Sequence, residues 1–167
     1  MKTLSLILLV VCALFSGSTP RSTASSVADS NHGLSALTHQ ELALARRATA
    51  KYHDVEQAEA DGYVDFNLFE SGEGFHYIKF SLLDGTFDPA QPEILLYATV
   101  PGEDRLQLVG VEYLVPLALS SGPPSGFTGD ADEWREDAEG FGLWEVNAWL
   151  WLHNPDGVFA HDNPRIP

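Results

Sequence analysis

The chain has almost no cysteine: Cys12 is the only one in 167 residues. Because it lies in the N-terminal segment that we expect to be removed, the mature protein would carry no thiol. A disulfide framework, a thiolate metal site and a cysteine nucleophile are therefore excluded. The sequence also lacks a GxSxG elbow, an HExxH helix, a phosphate-binding glycine loop and a dinucleotide fingerprint, so it shows none of these catalytic or nucleotide-binding motifs.

Basic residues are scarce as well, with nine Lys and Arg against 24 Asp and Glu, a formal net charge of −15. Removal of residues 1–24 would take two basic residues, Lys2 and Arg21, and no acidic one. That leaves seven against 24, a net charge of −17. Such a surface repels phosphate backbones and anionic lipid headgroups, so we expect neither nucleic acid nor a membrane surface as partner. The acids serve either solubility or cation capture, and their dispersion favours solubility.

Long hydrophobic runs are missing except at the N-terminus, where Leu4–Phe15 is too short to span a bilayer comfortably. With the lysine before it and small residues after it, this run predicts a secretory signal peptide over 1–24, cleaved after Ala24. A disordered linker is predicted over 25–36. The alternative is a lipoprotein anchored at Cys12. Either way, we expect an exported protein, periplasmic or secreted, without a transmembrane segment.

The rest of the chain, 37–167, has the length of one globular domain. A capping box at Thr38 and apolar residues at helical spacing predict one amphipathic helix over Thr38–Ala60. The period then changes to two, which predicts strands. The predicted strands are Phe75–Phe80, Glu93–Val100, Leu106–Val115 and Leu143–His153, with a short return through Val158–Ala160. Helix first and strands after it indicate an α+β domain whose N-terminal helix packs on an antiparallel, curled β-sheet, with the second and third strands as a hairpin.

Between the third and fourth predicted strands, Ser120–Gly140 is rich in Gly, Pro and Ser and then densely acidic, with Trp134 in its middle. We expect a long mobile loop here. Long loops in compact domains often serve as lids or binding loops.

Two polar residues interrupt apolar strands. Glu112 in such a strand must be paired, hydrogen-bonded or protonated, so it is either a metal ligand or general acid/base, or an acid on a solvent-facing side. The imidazole of His76 suits metal binding or proton transfer, and a core histidine with one hydrogen bond is the simpler interpretation.

Four further candidates share one face of the last predicted strand if alternation holds. They are Asn147, Trp149, Trp151 and His153. The two tryptophans form either a stacking platform for a sugar ring or part of the core. The turn after His153 would bring it close to His161 and Asp162, although two surface histidines near the tail would give the same sequence pattern. We take His76, Glu112 and His153 as the candidate metal ligands.

In its motifs and their order, the chain resembles a group of small exported bacterial hypothetical proteins of unknown function. The residues that carry the resemblance are Ala48–Tyr52, Ala60–Tyr63, His76-Tyr77, Asp88, Pro92-Glu93, Leu96-Tyr97, Leu108–Tyr113 and the C-terminal pattern WLWxxNPxGxFAxxNP from Trp149 to Pro164. The resemblance implies no activity. It implies one histidine in the His76-Tyr77 pair and another two residues before the Trp-Leu-Trp run. This chain has Asn147 at the second position, and this departure weakens a metal site that would need both histidines.

Three functions remain open. The first is a non-catalytic domain that binds a small ligand or a divalent metal, Zn²⁺ or Cu²⁺, near His76, Glu112, Asn147 and His153. The second is an enzyme in which Glu112 or His76 is the general acid/base. The third is carbohydrate binding on Trp149 and Trp151.

Overall fold

The structure is a computed structural model that describes residues 33–99, 105–138 and 140–167. The predicted signal peptide at 1–24, the alternative anchor at Cys12 and the predicted linker up to residue 32 lie outside these residues. None of the helices in the described ranges is long and apolar enough to cross a membrane.

The N-terminal helical region begins earlier than predicted. Helix α1 spans Ala36–Thr49, and its N-cap is Ser35, whose hydroxyl accepts a hydrogen bond from the Thr38 backbone at 3.0 Å. Thr38, the predicted cap, is instead buried, and its hydroxyl donates to the Thr128 carbonyl. The first turn of α1 is thereby attached to the segment around Thr128.

The prediction of one continuous helix is wrong in its second half. A 3₁₀ turn, Ala50–His53, separates α1 from helix α2, Val55–Ala60. Asp54 restarts the helix because its carboxylate accepts the Glu56 backbone N–H at 3.1 Å. The Tyr52 carbonyl instead accepts the buried Tyr97 hydroxyl at 2.5 Å, so the break is also a point of attachment to the sheet.

In the described ranges, six strands form one open sheet in the order β1-β2-β3-β4-β6-β5, in which every neighbouring pair is antiparallel. The strands are β1 Val64–Glu70, β2 Gly74–Ile78, β3 Ile94–Thr99, β4 Leu106–Pro116, β5 Arg135–Glu136 and β6 Leu143–Ala148. The predicted α+β class is confirmed, as is the pairing of β3 with β4. Residues 100–104 between them lie outside the described residues.

The last predicted strand is too long. It ends at Ala148, because the Trp149 backbone N–H donates to the Val158 carbonyl at 2.8 Å and no longer to the sheet. Two residues on, the backbone N–H of Trp151 donates to Val109 at 3.1 Å. The alternation assumed for Trp149, Trp151 and His153 therefore does not hold.

The predicted loop Ser120–Gly140 contains more structure than expected. Arg135–Glu136 forms the edge strand β5, and Phe127 is buried among aromatic rings. The Phe127 ring lies 4.9 Å from Phe87 and 5.4 Å from Tyr113. Part of this segment is thus core rather than a free lid.

The sheet has two buried faces. The helix-covered face packs residues such as Tyr77, Leu95, Tyr97 and Val111 against Ala45, Tyr52 and Ala58 of the helical region. The opposite face carries a smaller apolar cluster built from Ile78, Ile94, Leu96, Leu114, Trp149 and Ile166. On that opposite face, the apolar residues surround a group of buried polar side chains.

Candidate functional site

A buried polar cluster lies on the opposite face of the sheet. Its members are Glu70, Glu73, His76, Glu112, Arg135, Glu145, Asn147 and His161. The sheet brings them together through register, because Glu112 on β4 pairs with Ile94 on β3 and with Asn147 on β6. Strand alternation gives His76 the same side of β2 as Ile78, which pairs with Ile94.

Glu73 occupies the centre of the cluster, and a tight turn fixes its position between β1 and β2. The flanking Gly72 and Gly74 have φ values of +88° and +97°, a conformation that favours glycine. A Cβ at Gly74 would also lie 2.4 Å from the Tyr97 carbonyl oxygen. The C-terminal tail closes the turn, since the Asn163 backbone N–H donates to the Gly72 carbonyl at 2.8 Å.

The Glu73 carboxylate receives several donors at once. Its Oε1 accepts from Asn147 Nδ2 at 2.9 Å and lies 2.5 Å from His161 Nδ1 and 3.8 Å from Arg135 Nη2. Its Oε2 lies 3.1 Å from His76 Nε2. Burial opposes ionisation of Glu73, but the hydrogen bonds from His161 and His76 outweigh it and lower its pKa. Glu73 is therefore the fixed negative charge of the site.

His76 connects Glu73 to Glu112. Its Nε2 lies 3.7 Å from Glu112 Oε2, while its Nδ1 has no hydrogen-bond partner among the described residues. Burial lowers the pKa of His76, but the bond to Glu73 outweighs it and raises the pKa overall, with a smaller contribution from the backbone of Leu68. The ring thus points one nitrogen between two carboxylates.

Glu112 is the least satisfied member of the cluster. It is buried, and its Oε2 accepts no hydrogen bond within the described part of the chain. Burial raises its pKa well above the usual range, and the charges of Glu73 and Glu145 raise it further. Burial also raises the pKa of Glu145, although Arg135, whose Nε and Nη2 lie 2.8 and 2.7 Å from Glu145 Oε1, offsets part of the effect.

Two cavities reach the polar cluster from different sides. A cavity of about 580 Å³ is lined by Trp134, Arg135, Asn147 and His161 among others. A narrower cleft of about 200 Å³ is lined by apolar side chains, with Glu73, His76 and Glu112 among its polar ones. Glu145 borders both.

Three donor atoms of the cluster lie close enough together to hold a metal ion. One ligand atom from each of Glu70, Glu73 and His76 lies within 4.8 Å of the other two. Two ligand atoms of a tetrahedral Zn²⁺, each about 2.0–2.1 Å from the ion, are about 3.3 Å apart. The separations of His76 Nε2 from Glu73 Oε2, 3.1 Å, and from Glu112 Oε2, 3.7 Å, lie on either side of that value.

Of the six candidates from the sequence, the structure brings three together: His76, Glu112 and Asn147. Trp149 lies on the same face, but it is only 3% exposed. Its Nε1 donates to the Ala160 carbonyl at 2.6 Å, and its ring fills the space above Gly110. Trp149 is therefore a core residue beside the cluster.

The remaining two candidates lie elsewhere. The Arg46 guanidinium stands 5.4 Å above the Trp151 ring, and His53 packs against that ring at 4.3 Å. His153 is exposed and shares a separate depression with Arg46 and Trp151. The expected pairing of His153 with His161 is not formed, since His161 contacts Glu73 and Arg135. His153 thus does not join His76 and Glu112, because the chain leaves the sheet after Ala148.

The sequence analysis missed Glu73, the centre of the cluster, and also Glu70, Arg135 and Glu145 as members. The only local signal at Glu73 is an acid between two glycines at a strand boundary. That signal marks a turn, and an exposed acid in a turn is the usual interpretation.

No family model, no curated protein and no solved structure is significantly similar to this chain. The resemblance to exported hypothetical proteins therefore stays a prediction. The geometry and chemistry of the polar cluster are the guide to function.

Proposed function

We propose that this protein is an exported domain that binds one divalent metal ion, Zn²⁺ by preference, through Glu73, His76 and Glu112. The observation that carries the proposal is the position of His76 Nε2 between two buried carboxylates, one of which, Glu112, has an oxygen without a hydrogen bond. Buried polar atoms without a partner are rare, and a metal ion would satisfy this one. Imidazole and carboxylate are ordinary zinc ligands.

Neighbouring side chains hydrogen-bond the proposed ligands, as the residues that orient metal ligands usually do. Asn147 and His161 hold the outer oxygen of Glu73 and so orient its inner oxygen towards His76. With the ion on Nε2, the neutral ring of His76 carries its proton on Nδ1. Glu70, which offers an oxygen within 4.8 Å of the ligand atoms of Glu73 and His76, adds negative charge beside the ion.

Metal binding must displace the protons that these ligands otherwise hold. Zinc affinity is therefore expected to rise with pH. The ion would also relieve the repulsion among the buried carboxylates, because it brings two positive charges into a group that contains four glutamates.

Calorimetric titration of the mature domain with ZnCl₂ tests the proposal. We expect one ion per chain, and a loss of affinity of at least about tenfold in His76→Ala and in Glu112→Gln. His153→Ala is the matched control, since this histidine lies in a separate depression and its removal should leave the affinity unchanged. Failure of the wild-type protein to bind, or undiminished binding in both site variants, would contradict the proposal.

A catalytic role for the same residues is the second candidate. It is favoured by one observation: the pKa of Glu73 is lowered while that of neighbouring Glu112 is raised, an arrangement found in acid/base pairs. A hydrolytic activity with a bell-shaped pH–rate profile, lost in Glu112→Gln, would support it. Carbohydrate stacking on Trp149 and Trp151 has no comparable support, because the first ring is buried and the second is covered by Arg46.

A further inference from the structure

An apolar cleft opens directly onto the polar cluster. Its volume is about 200 Å³, which is smaller than the pockets that hold drug-sized molecules. The walls include Phe66, Leu68, Phe80, Leu83, Phe141 and Leu143. Glu112 and His76 border the same cleft, so a molecule in the cleft would have apolar walls around it and ligand atoms of the cluster beneath it.

The rim of the cleft exposes three aromatic rings. Phe66, Phe80 and Phe141 are 36%, 56% and 55% exposed, and Phe66 lies 6.1 Å from Phe80 and 5.8 Å from Phe141. A cluster of exposed aromatic rings on an otherwise acidic surface marks a place where an apolar group binds.

The fold holds one of these rings in place. The Asp137 carboxylate accepts backbone N–H groups from Phe141, at 2.5 Å, and from Gly142 and Leu143, at 2.9 and 2.7 Å. Gly140 and Gly142 both have φ of +80°, so the turn that presents Phe141 depends on glycine on each side. The exposed position of the ring is therefore built into the turn.

We propose that this cleft binds a small apolar molecule whose head group completes the coordination of the metal, as a hydroxamate or carboxylate does. The inference rests on the proposed metal site. The three proposed ligands, Glu73, His76 and Glu112, leave one position of a tetrahedral ion for an outside donor, as in zinc sites that bind a substrate or water, and all three line the cleft. Without the ion, the same glutamates would repel an anionic head group, so binding requires the metal.

The test compares hexanohydroxamate with acetohydroxamate on the zinc-loaded and the metal-free domain. The two probes share a head group and differ only in the alkyl chain. For the zinc-loaded protein, we expect at least tenfold tighter binding of the longer probe, because its chain removes apolar surface from water in the cleft. The metal-free protein should bind neither. The zinc content after gel filtration shows that the probe has bound the site and has not extracted the ion.

Variants of the rim locate the effect. Phe80→Ala and Phe141→Ala should each reduce the preference for the longer probe at least threefold while zinc affinity is unchanged. Leu119→Ala is the control, because Leu119 is 60% exposed and does not line the cleft. Three results would overturn this inference without affecting the proposed metal site. They are equal affinity of the zinc-loaded protein for the two probes, loss of zinc to the probe, and an unaltered preference for the longer probe in both Phe variants. Absence of zinc binding would overturn both.

Discussion

The two faces of the sheet bury different kinds of polar group. On the helix-covered face, buried tyrosine hydroxyls such as those of Tyr97 and Tyr113 donate to backbone carbonyls, Tyr97 to Tyr52 at 2.5 Å and Tyr113 to Pro89 at 2.9 Å. On the opposite face, Glu112 and His76 each bury a polar atom that has no hydrogen bond in the described ranges. Satisfied polar groups help specify a fold, whereas unsatisfied ones reduce its stability. Unsatisfied buried atoms are not what folding alone favours, so the opposite face is the candidate for a functional site.

The largest effect is expected when the centre of the polar cluster is removed. Glu73→Ala leaves His76, Arg135 and His161 without the buried carboxylate they share, and breaking a buried charge pair typically costs about 3–5 kcal/mol. Urea unfolding of the metal-free protein measures the loss. Glu59→Gln, an exposed acid on α2, should change the free energy of unfolding by less than about 0.5 kcal/mol. Equal effects of the two variants would show that this charge pairing does not hold the face together.

The helix-covered face also contains a buried acid, Glu93, whose carboxylate is hydrogen-bonded. Glu93 precedes β3 on the side of Leu95 and Tyr97, and its carboxylate accepts the Leu114 backbone N–H at 2.9 Å. Burial raises the pKa of Glu93 from 4.5 to about 8, although the bond from Leu114 opposes the shift.

The folded protein therefore keeps the Glu93 proton at pH values where the unfolded chain has lost it. Because the unfolded state then binds fewer protons, the contribution of Glu93 to stability falls as pH rises between about 4.5 and 8, by at most about 1.4 kcal/mol per pH unit. We expect Glu93→Gln to flatten the curve of unfolding free energy against pH in this window. A curve of unchanged slope would mean that Glu93 ionises normally in the fold.

Removal of one hydroxyl from the helix-covered face is expected to change the free energy of unfolding less. Tyr97→Phe deletes the donor to the Tyr52 carbonyl at the break between α1 and α2, and should lower the free energy of unfolding by about 1–2 kcal/mol. Zinc affinity should not change, because the hydroxyl lies on the other side of the sheet. Calorimetry and urea unfolding on the same preparation distinguish these two properties, and a joint loss would contradict the division between the faces.

The smallest change in the free energy of unfolding is expected at Glu112, whose Oε2 accepts no hydrogen bond among the described residues. Burial favours the protonated form of Glu112, so its replacement by the isosteric amide in Glu112→Gln should alter the free energy of unfolding at pH 7 by less than about 1 kcal/mol. The same variant should lose zinc affinity. A large destabilisation without a loss of zinc affinity would assign Glu112 to the fold instead of the metal site.

The elements that the sequence predicted well are those with a clear period. The pair β3–β4 follows from its long apolar runs, and nearly all of their residues are buried. The helix was located by its spacing, but α1 buries Thr38, Ala45 and Thr49, whereas Leu37 and Leu44 are 56% and 39% exposed. Strand β1 was missed because it is a largely exposed edge strand, with a register shift and with Asn67 at a φ of +55°. Periodicity reports burial, so a strand with little burial gives little signal.

The site was predictable only where it lies on strands. His76 and Glu112 stand out as polar residues in apolar runs, and strand alternation is enough to place them. Glu73 was not predictable, since its role depends on a turn whose position is set by contacts with β3 and with the tail. His153 was placed on the wrong surface because the Trp149–Trp151 run looks like strand and is in fact the exit from the sheet.

The bond from Asn163 to Gly72 has a consequence for the order of folding. The turn that presents Glu73 is completed by residues from the far end of the chain, and Asn147 and His161 reach the same carboxylate from late positions too. Contacts between residues so far apart in the sequence have a high entropic cost of loop closure and form slowly. The sheet is expected to assemble first, and metal affinity to be acquired last, when the tail docks. Zinc uptake followed after dilution from urea would then report the final step of folding.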